Sequence, residues 1–133
     1  MRITLESDYA LRILASMASY DGITDAKTLS FDTSVTLRFT LKILHKLVQG
    51  DIVASYKGAH GGYQLKLAPE DISLKRVIEL IDGPIAISRC VDTKEQCSLN
   101  CDKAACRLHH IFDGVSTELA QKLNKITISD LLS

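Results

Sequence analysis

Apolar side chains recur every three to four residues along most of the chain, and this spacing predicts a mainly helical protein. The predicted helices are 5–20, 25–30, 35–49, 73–81, 105–124 and 128–132. The segments 52–56 and 63–67 have the composition and alternation of strands, and a glycine-rich turn joins them. The pattern therefore predicts three helices, a β-hairpin, a further helix, an irregular segment and a long C-terminal helix.

Short polar residues stand where the first three predicted helices begin. Thr4 or Ser7 is expected to cap the first helix, Thr24 the second and Ser34 the third, because such side chains accept hydrogen bonds from free helical N–H groups. Gly50 is expected to end the third helix.

Helix, short helix, tight turn, helix and hairpin is the element order of a winged helix-turn-helix. The predicted fold is mostly α with a small β-hairpin wing, followed by a long C-terminal dimerisation helix. Three parts are expected: a DNA-binding domain over 1–83, a cysteine-bearing loop over 84–104, and a dimerisation helix with its tail over 105–133.

Composition narrows the functional classes. Of the 133 residues, 46% are hydrophobic and 24% are charged, which is typical of a soluble domain. No apolar run approaches the roughly 20 residues of a membrane span, and the N-terminus has no signal-peptide core. We therefore expect a cytoplasmic protein with no membrane partner. Nucleophile-elbow, P-loop and zinc-protease motifs are absent from the sequence, so we expect neither an enzyme nor a small-molecule substrate.

Charge is unevenly distributed although the net charge is zero. Five basic residues and one acid lie between Thr33 and Pro69, giving this stretch a local charge of +4 that suits the phosphates of DNA. A solvated helix face and a plain hairpin turn are the alternatives. The candidate DNA contacts are Ser34, Thr36, Leu37, Arg38 and Lys42 in the third helix, with Lys57 and His60 in the hairpin turn.

All four cysteines fall in one short window, at Cys90, Cys97, Cys101 and Cys106. Gaps of six, three and four residues suit a loop around a thiolate-bound metal cluster better than the paired knuckles of a zinc ribbon. A thiol–disulfide switch and unreactive cysteines are the alternatives.

Several segments together carry a family resemblance. Residues 7–12 (SDYALR), the hairpin turn 57–65 (KGAHGGYQL), the helix 74–83, the cysteine loop and the long last helix resemble Rrf2-type bacterial regulators, the group containing IscR, NsrR and RirA. The resemblance covers nearly the whole chain. It implies a homodimeric regulator that binds double-stranded operator DNA and senses through an iron–sulfur cluster.

The resemblance also implies a ligand set of three cysteines. Cys90 and Cys106 match the first and third family positions, and the middle ligand is Cys97 or Cys101, with Cys97 preferred. The fourth cysteine is then a spare ligand or a redox partner.

Two residues are candidates for the fourth ligand. His109 resembles the histidine that completes a [2Fe-2S] site in IscR; its alternative is a surface histidine. Asp8 resembles the carboxylate that completes a [4Fe-4S] site from the partner subunit in NsrR; its alternative is a salt bridge with Arg12. Both residues are present, and a [2Fe-2S] cluster is preferred.

The last long helix carries an apolar stripe that suits dimerisation, or packing on its own domain. Its members are Leu108, Ile111, Phe112, Val115, Leu119 and Leu123.

Taken together, the cysteine segment and the family resemblance predict a repressor that senses iron–sulfur status, nitric oxide or redox state. A cofactor-free or zinc-holding repressor and a thiol–disulfide sensor on the same fold are the alternatives.

Overall fold

The computed structural model of the chain describes residues 2–92 and 102–132. Its helices are α1 (Leu5–Ala18), α2 (Ala26–Thr33), α3 (Leu37–Gln49), α4 (Leu74–Asp82) and α5 (Arg107–Lys125). Its strands are β1 (Val53–Tyr56) and β2 (Gly62–Leu65), and short 3-10 turns lie at Pro69–Asp71, Lys103–Ala105 and Ile128–Leu131. The predicted fold is confirmed, since a mostly helical chain carries one antiparallel hairpin between α3 and α4.

The first two helices begin at polar caps. The Thr4 side chain accepts from the Ser7 N–H at 3.1 Å, so Thr4 caps α1. The prediction of Thr24 as the cap of α2 is wrong, because Asp25 accepts from the Thr28 N–H at 2.7 Å instead. This hydrogen bond from the Thr28 backbone lowers the pKa of Asp25 below its ordinary value of 3.8.

The turn between α2 and α3 corrects the predicted start of the third helix. Ser34 has a left-handed backbone (φ 58°) and ends α2, so it is not the cap of α3. Thr36 is the cap, and it accepts from the Phe39 N–H at 3.2 Å. Val35 is buried within the turn, so its apolar character reflects packing and not a place in the helix.

The core lies where α1 meets α2, α3, α4 and the last 3-10 turn. Its buried apolar members are Ala10, Ile13, Leu14, Met17, Leu29, Ile43, Leu44, Leu47, Ile52, Val53, Ile72, Val77 and Ile128. The C-terminal segment belongs to this core because the Ile128 N–H donates to the Ile72 carbonyl at 2.9 Å. The Leu74 N–H likewise donates to the Ile126 carbonyl at 2.9 Å.

The hairpin packs on the helices and is also hydrogen-bonded to the turn between α1 and α2. Its strands pair from Val53 opposite Leu65 to Tyr56 opposite Gly62. Thr24, in the α1–α2 turn, exchanges both backbone hydrogen bonds with Tyr63 of β2, at 2.9 and 2.8 Å. The turn therefore joins the hairpin through an isolated β-bridge, and α2 begins two residues after Thr24, so that its cap position falls on Asp25. Within the described residues, no helix has the length and hydropathy that a membrane span requires.

Candidate nucleic-acid interface and sensor segment

The helix α3 buries one face and exposes the other. Ile43, Leu44 and Leu47 on the buried face are fully enclosed in the core. Arg38 and Lys42, two of the predicted DNA contacts, are exposed on the opposite side. The apolar spacing of α3 therefore fixes the helix on the domain and leaves its basic side chains free to meet a ligand from outside.

Two of the five basic residues of the 33–69 stretch are held by acids. Lys46 Nζ lies 2.6 Å from Glu6 of α1, and Lys66 Nζ lies 3.2 Å from Asp51. The acid Glu6 lies outside the stretch whose charge was counted from the sequence. The local charge of +4 therefore overstates the net charge of this surface.

The remaining three basic side chains are Arg38, Lys42 and Lys57. Among the described residues, no carboxylate forms a salt bridge with Arg38 or Lys57. Lys42 Nζ lies at the 4.0 Å limit from Glu6 and 5.4 Å from the ring centre of Phe39. Thr36 caps α3, the helix that carries Arg38 and Lys42, and Leu37 is partly exposed in the first turn of that helix.

The hairpin turn presents Lys57 and His60 at its exposed tip. Glycine is required here: a Cβ at Gly61 would lie 2.3 Å from the Tyr56 carbonyl oxygen, and Gly58 has φ +102°. A turn this tight brings its backbone and its cation close to any surface against which it docks.

Aromatic packing joins α1 to α3 and helps to hold α3 in place. No local sequence pattern indicates this contact. The ring of Tyr9 meets that of Phe39 edge-on, with centroids 5.6 Å apart. Arg12 lies over the Tyr9 ring at 5.2 Å and pairs with Asp8 at 2.7 Å. Asp8 therefore forms the salt bridge with Arg12 that was given as the alternative to its role as a cluster ligand.

The described ends of the cysteine segment each carry a free, half-buried thiol. Cys90 Sγ lies 3.1 Å from the Ser88 hydroxyl. Cys106 occupies the cap position of α5, where its side chain makes no capping hydrogen bond. Cys97 and Cys101 lie outside the described residues.

His109 and His110 differ in their partners. Nε2 of His110 donates to the Ala104 carbonyl at 2.6 Å. Nδ1 of His109 is buried and has no hydrogen-bond partner among the described residues. Over 2–92 and 102–132, the side chains of His, Cys, Asp and Glu form no group of three or more that could hold a metal ion.

The predicted stripe on α5 divides into two faces. Leu108, Ile111 and Val115 point outward and are 56%, 60% and 46% exposed. Phe112, Leu119 and Leu123 are half-buried, on the side of Ser116, which is buried and accepts from the Ile87 N–H at 2.9 Å.

A second contact joins the start of α1 to the end of α4. The Thr4 N–H donates to Asp82 at 3.2 Å, and the Thr4 hydroxyl donates to the other carboxylate oxygen. Asp82 is the last residue of α4 and directly precedes the segment that leads to Cys90, so this contact lies at the end of the helical domain that adjoins the cysteine segment.

Comparison with known proteins decides the family. Residues 3–133 match the family model described as Rrf2, iron-dependent transcriptional regulator. The chain belongs to the Rrf2 family. It is therefore a DNA-binding transcription regulator with a winged helix-turn-helix, and not an enzyme.

The relatives of this Rrf2 protein cover almost its whole length. An rrf2-like HTH-type regulator of Rhodobacter capsulatus is 32% identical, over 98% of this chain and 92% of the relative. The regulator NsrR of Bacillus subtilis is 27% identical, over 99% of this chain and 90% of the relative. The structure of CymR, titled the global cysteine regulator of B. subtilis, superposes with a TM-score of 0.78 at 22% identity, covering 98% of this chain and 95% of CymR.

Proposed function

We propose that this Rrf2 regulator is a cytoplasmic, homodimeric repressor that senses iron–sulfur status, nitric oxide or redox state through a bound iron–sulfur cluster. The observation that carries the proposal is the set of donor atoms in the sensor segment, by which we mean the cysteine-bearing loop 84–104 together with the first turn of α5. Free thiols flank residues 93–101, and three residues after the second thiol His109 has a buried nitrogen that finds no hydrogen-bond partner in 2–92 or 102–132.

The donor chemistry fits an iron–sulfur group. Thiolate sulfur and imidazole nitrogen are the side-chain donors that hold such clusters. We assign Cys90, Cys97 and Cys106 as ligands, with Cys101 as the alternate for the middle position. A buried imidazole nitrogen without a hydrogen bond is costly, and ligation would remove that cost.

His109 is favoured over Asp8 as the fourth ligand. Asp8 is held by Arg12 at 2.7 Å, so its ligation would first break an existing charge-assisted contact. A histidine ligand is the arrangement that the resemblance associates with [2Fe-2S], which is therefore the preferred cluster.

When bound, such a cluster would supply iron–ligand bonds that nitric oxide or oxygen can break. Under iron shortage these bonds would not form. The chain's own contacts then transmit the change. The Ile87 N–H holds the sensor segment to Ser116 of α5, and Asp82 at the end of α4 holds Thr4 at the start of α1. Tyr9 of α1 in turn packs on Phe39 of α3.

The same proposal assigns the DNA and dimer surfaces. Operator DNA would contact Thr36, Leu37, Arg38 and Lys42 of α3, Ser34 in the preceding turn, and Lys57 and His60 of the hairpin. The outward face of α5, formed by Leu108, Ile111 and Val115, would meet a second copy, while Phe112, Leu119 and Leu123 support it from the domain side. Two half-sites would then be read together, so a small change in spacing alters affinity. The division into 1–83, 84–104 and 105–133 is part of this proposal.

Anaerobic purification with counts of iron and acid-labile sulfide tests the cluster. We expect both elements and visible absorption in the native chain, and their loss in Cys90→Ala and Cys106→Ala. His109→Ala should change the absorption spectrum, whereas His110→Ala is the matched control because its ring already bonds the Ala104 carbonyl. Comparing Cys97→Ala with Cys101→Ala identifies the middle ligand.

The same measurements separate the alternatives. Zinc in place of iron would support the zinc-holding repressor. A metal-free protein that forms a disulfide under mild peroxide, read by mass spectrometry, would support the thiol sensor. Unchanged iron and sulfide in both the Cys90 and Cys106 variants would overturn the ligand assignment.

A further inference from the structure

The outward face of α3 is not purely polar. Leu37 is 37% exposed and Leu41 is 42% exposed, and they lie one helical turn apart. Leu41 was not among the DNA contacts predicted from the sequence. Its neighbours on the helix surface are Arg38, three residues before it, and His45, four residues after it, and both are exposed.

The basic side chains on the outward face of α3 indicate which kind of partner this face binds. Arg38 has no carboxylate partner within the described residues, and Lys42 reaches Glu6 only at 4.0 Å. Basic side chains beside an exposed leucine suit a polyanion, and the family supplies DNA as that partner. The leucines would therefore be brought against base edges in the major groove if α3 docks as proposed above.

Leucine is selective against base edges. The major groove carries one apolar group in unmodified DNA, the C5-methyl of thymine. Against any other base edge, a leucine would bury nitrogen or oxygen atoms without hydrogen bonds, which costs binding free energy. Burial against a thymine methyl instead removes apolar surface from water on both partners.

We propose that Leu41, together with Leu37, reads a thymine methyl in each operator half-site. Arg38, one turn away on the same surface, orients the helix through a guanine edge or a phosphate. This inference rests on the docking of α3 in the proposed function, and it adds a base preference to that docking.

Uracil substitution isolates the methyl group. A binding site is first selected from a random DNA pool with the full-length protein. Each thymine is then replaced in turn by 2′-deoxyuridine, which keeps every hydrogen-bonding atom and loses only the methyl. At one or two positions per half-site we expect affinity to fall about fourfold, the effect of about one buried carbon.

The Leu41→Ala variant completes the cycle. At a sensitive position it should discriminate less between the thymine and uracil sites than the native protein does, because the methyl has lost one of its two leucine partners. Leu41 is partly exposed, so the variant should keep the native helical content by circular dichroism. Lys57→Ala is the matched control: it should weaken binding to both sites by the same factor and keep the preference for thymine.

Two outcomes overturn the inference. One is a selected site at which no uracil replacement weakens binding. The other is a thymine preference that survives unchanged in both Leu37→Ala and Leu41→Ala. Either result leaves the proposed docking of α3 intact, whereas failure to select any DNA sequence would overturn that docking as well.

Discussion

The helical domain and the long helix α5 are built in opposite ways. Among the described residues, every buried apolar side chain lies between Ala10 and Ile78, except Ile128. The helix α5 contributes none, and Ser116 is its only buried residue. It instead exposes three large apolar side chains, two of them by more than half of their surface.

This difference teaches where each region obtains its stability. The core residues remove their apolar surface from water within one chain, so the domain is stabilised without a partner. The apolar residues on the outward face of α5 gain nothing until another surface covers them. Damage to the domain should therefore act on folding, and damage to that face should act on association.

Leu44→Ala should have the largest effect. Leu44 is fully buried on α3, and deletion of its side chain leaves a cavity in the core. We expect the free energy of unfolding to fall by about 2–5 kcal/mol, measured by urea denaturation. The loss should be the same at every protein concentration. A loss that changes with concentration would break the comparison, because the core would then depend on a partner.

Ile111→Asp tests the other region. In the proposed dimer this carboxylate would be buried in an apolar interface without a partner, so we expect dimer affinity to fall roughly a hundredfold or more, measured by analytical ultracentrifugation. Gln121→Asp is the matched control, since it places the same charge at an exposed polar position of the same helix. A fully dimeric Ile111→Asp protein would contradict the proposed interface.

The sequence predicted the helices well and their ends less well. Apolar periodicity reports packing, and packing determines that α1, α3, α4 and α5 exist. The predictions of Thr24 and Ser34 as helix caps were wrong, because residue types that are common at helix caps also occur in other structural positions. Thr24 pairs with a strand 39 positions further along the chain, and Ser34 adopts the left-handed turn that ends α2.

The sequence identified which residue types the candidate site contains, but it did not identify the long-range contacts that these residues make. Arg38, Lys42 and Lys57 of the 33–69 stretch lie exposed, whereas Lys46 is partly buried and pairs with Glu6, forty residues away on α1. The predicted apolar stripe does lie on one helix, α5, but its division into an exposed and a half-buried face depends on where α4 and the 83–92 segment lie. Long-range contacts of this kind leave no local pattern.

The smallest expected effect comes from the Thr4–Asp82 contact, which lies within the helical domain, next to the segment that leads from α4 towards α5. Thr4→Val keeps the shape of the side chain, removes the cap of α1 and removes the hydroxyl's hydrogen bond to Asp82, so that only the backbone N–H of position 4 still donates to that carboxylate. Ser73→Ala is the control, since Ser73 caps α4 by accepting from the Arg76 N–H and makes no contact of this kind. Each variant should lose about 1 kcal/mol of unfolding free energy, the usual cost of a lost cap. Only Thr4→Val should also reduce the difference in operator affinity between iron-loaded and iron-free protein, measured by fluorescence anisotropy. Equal behaviour of the two variants in that second measurement would show that the contact stabilises the helix ends without carrying the signal.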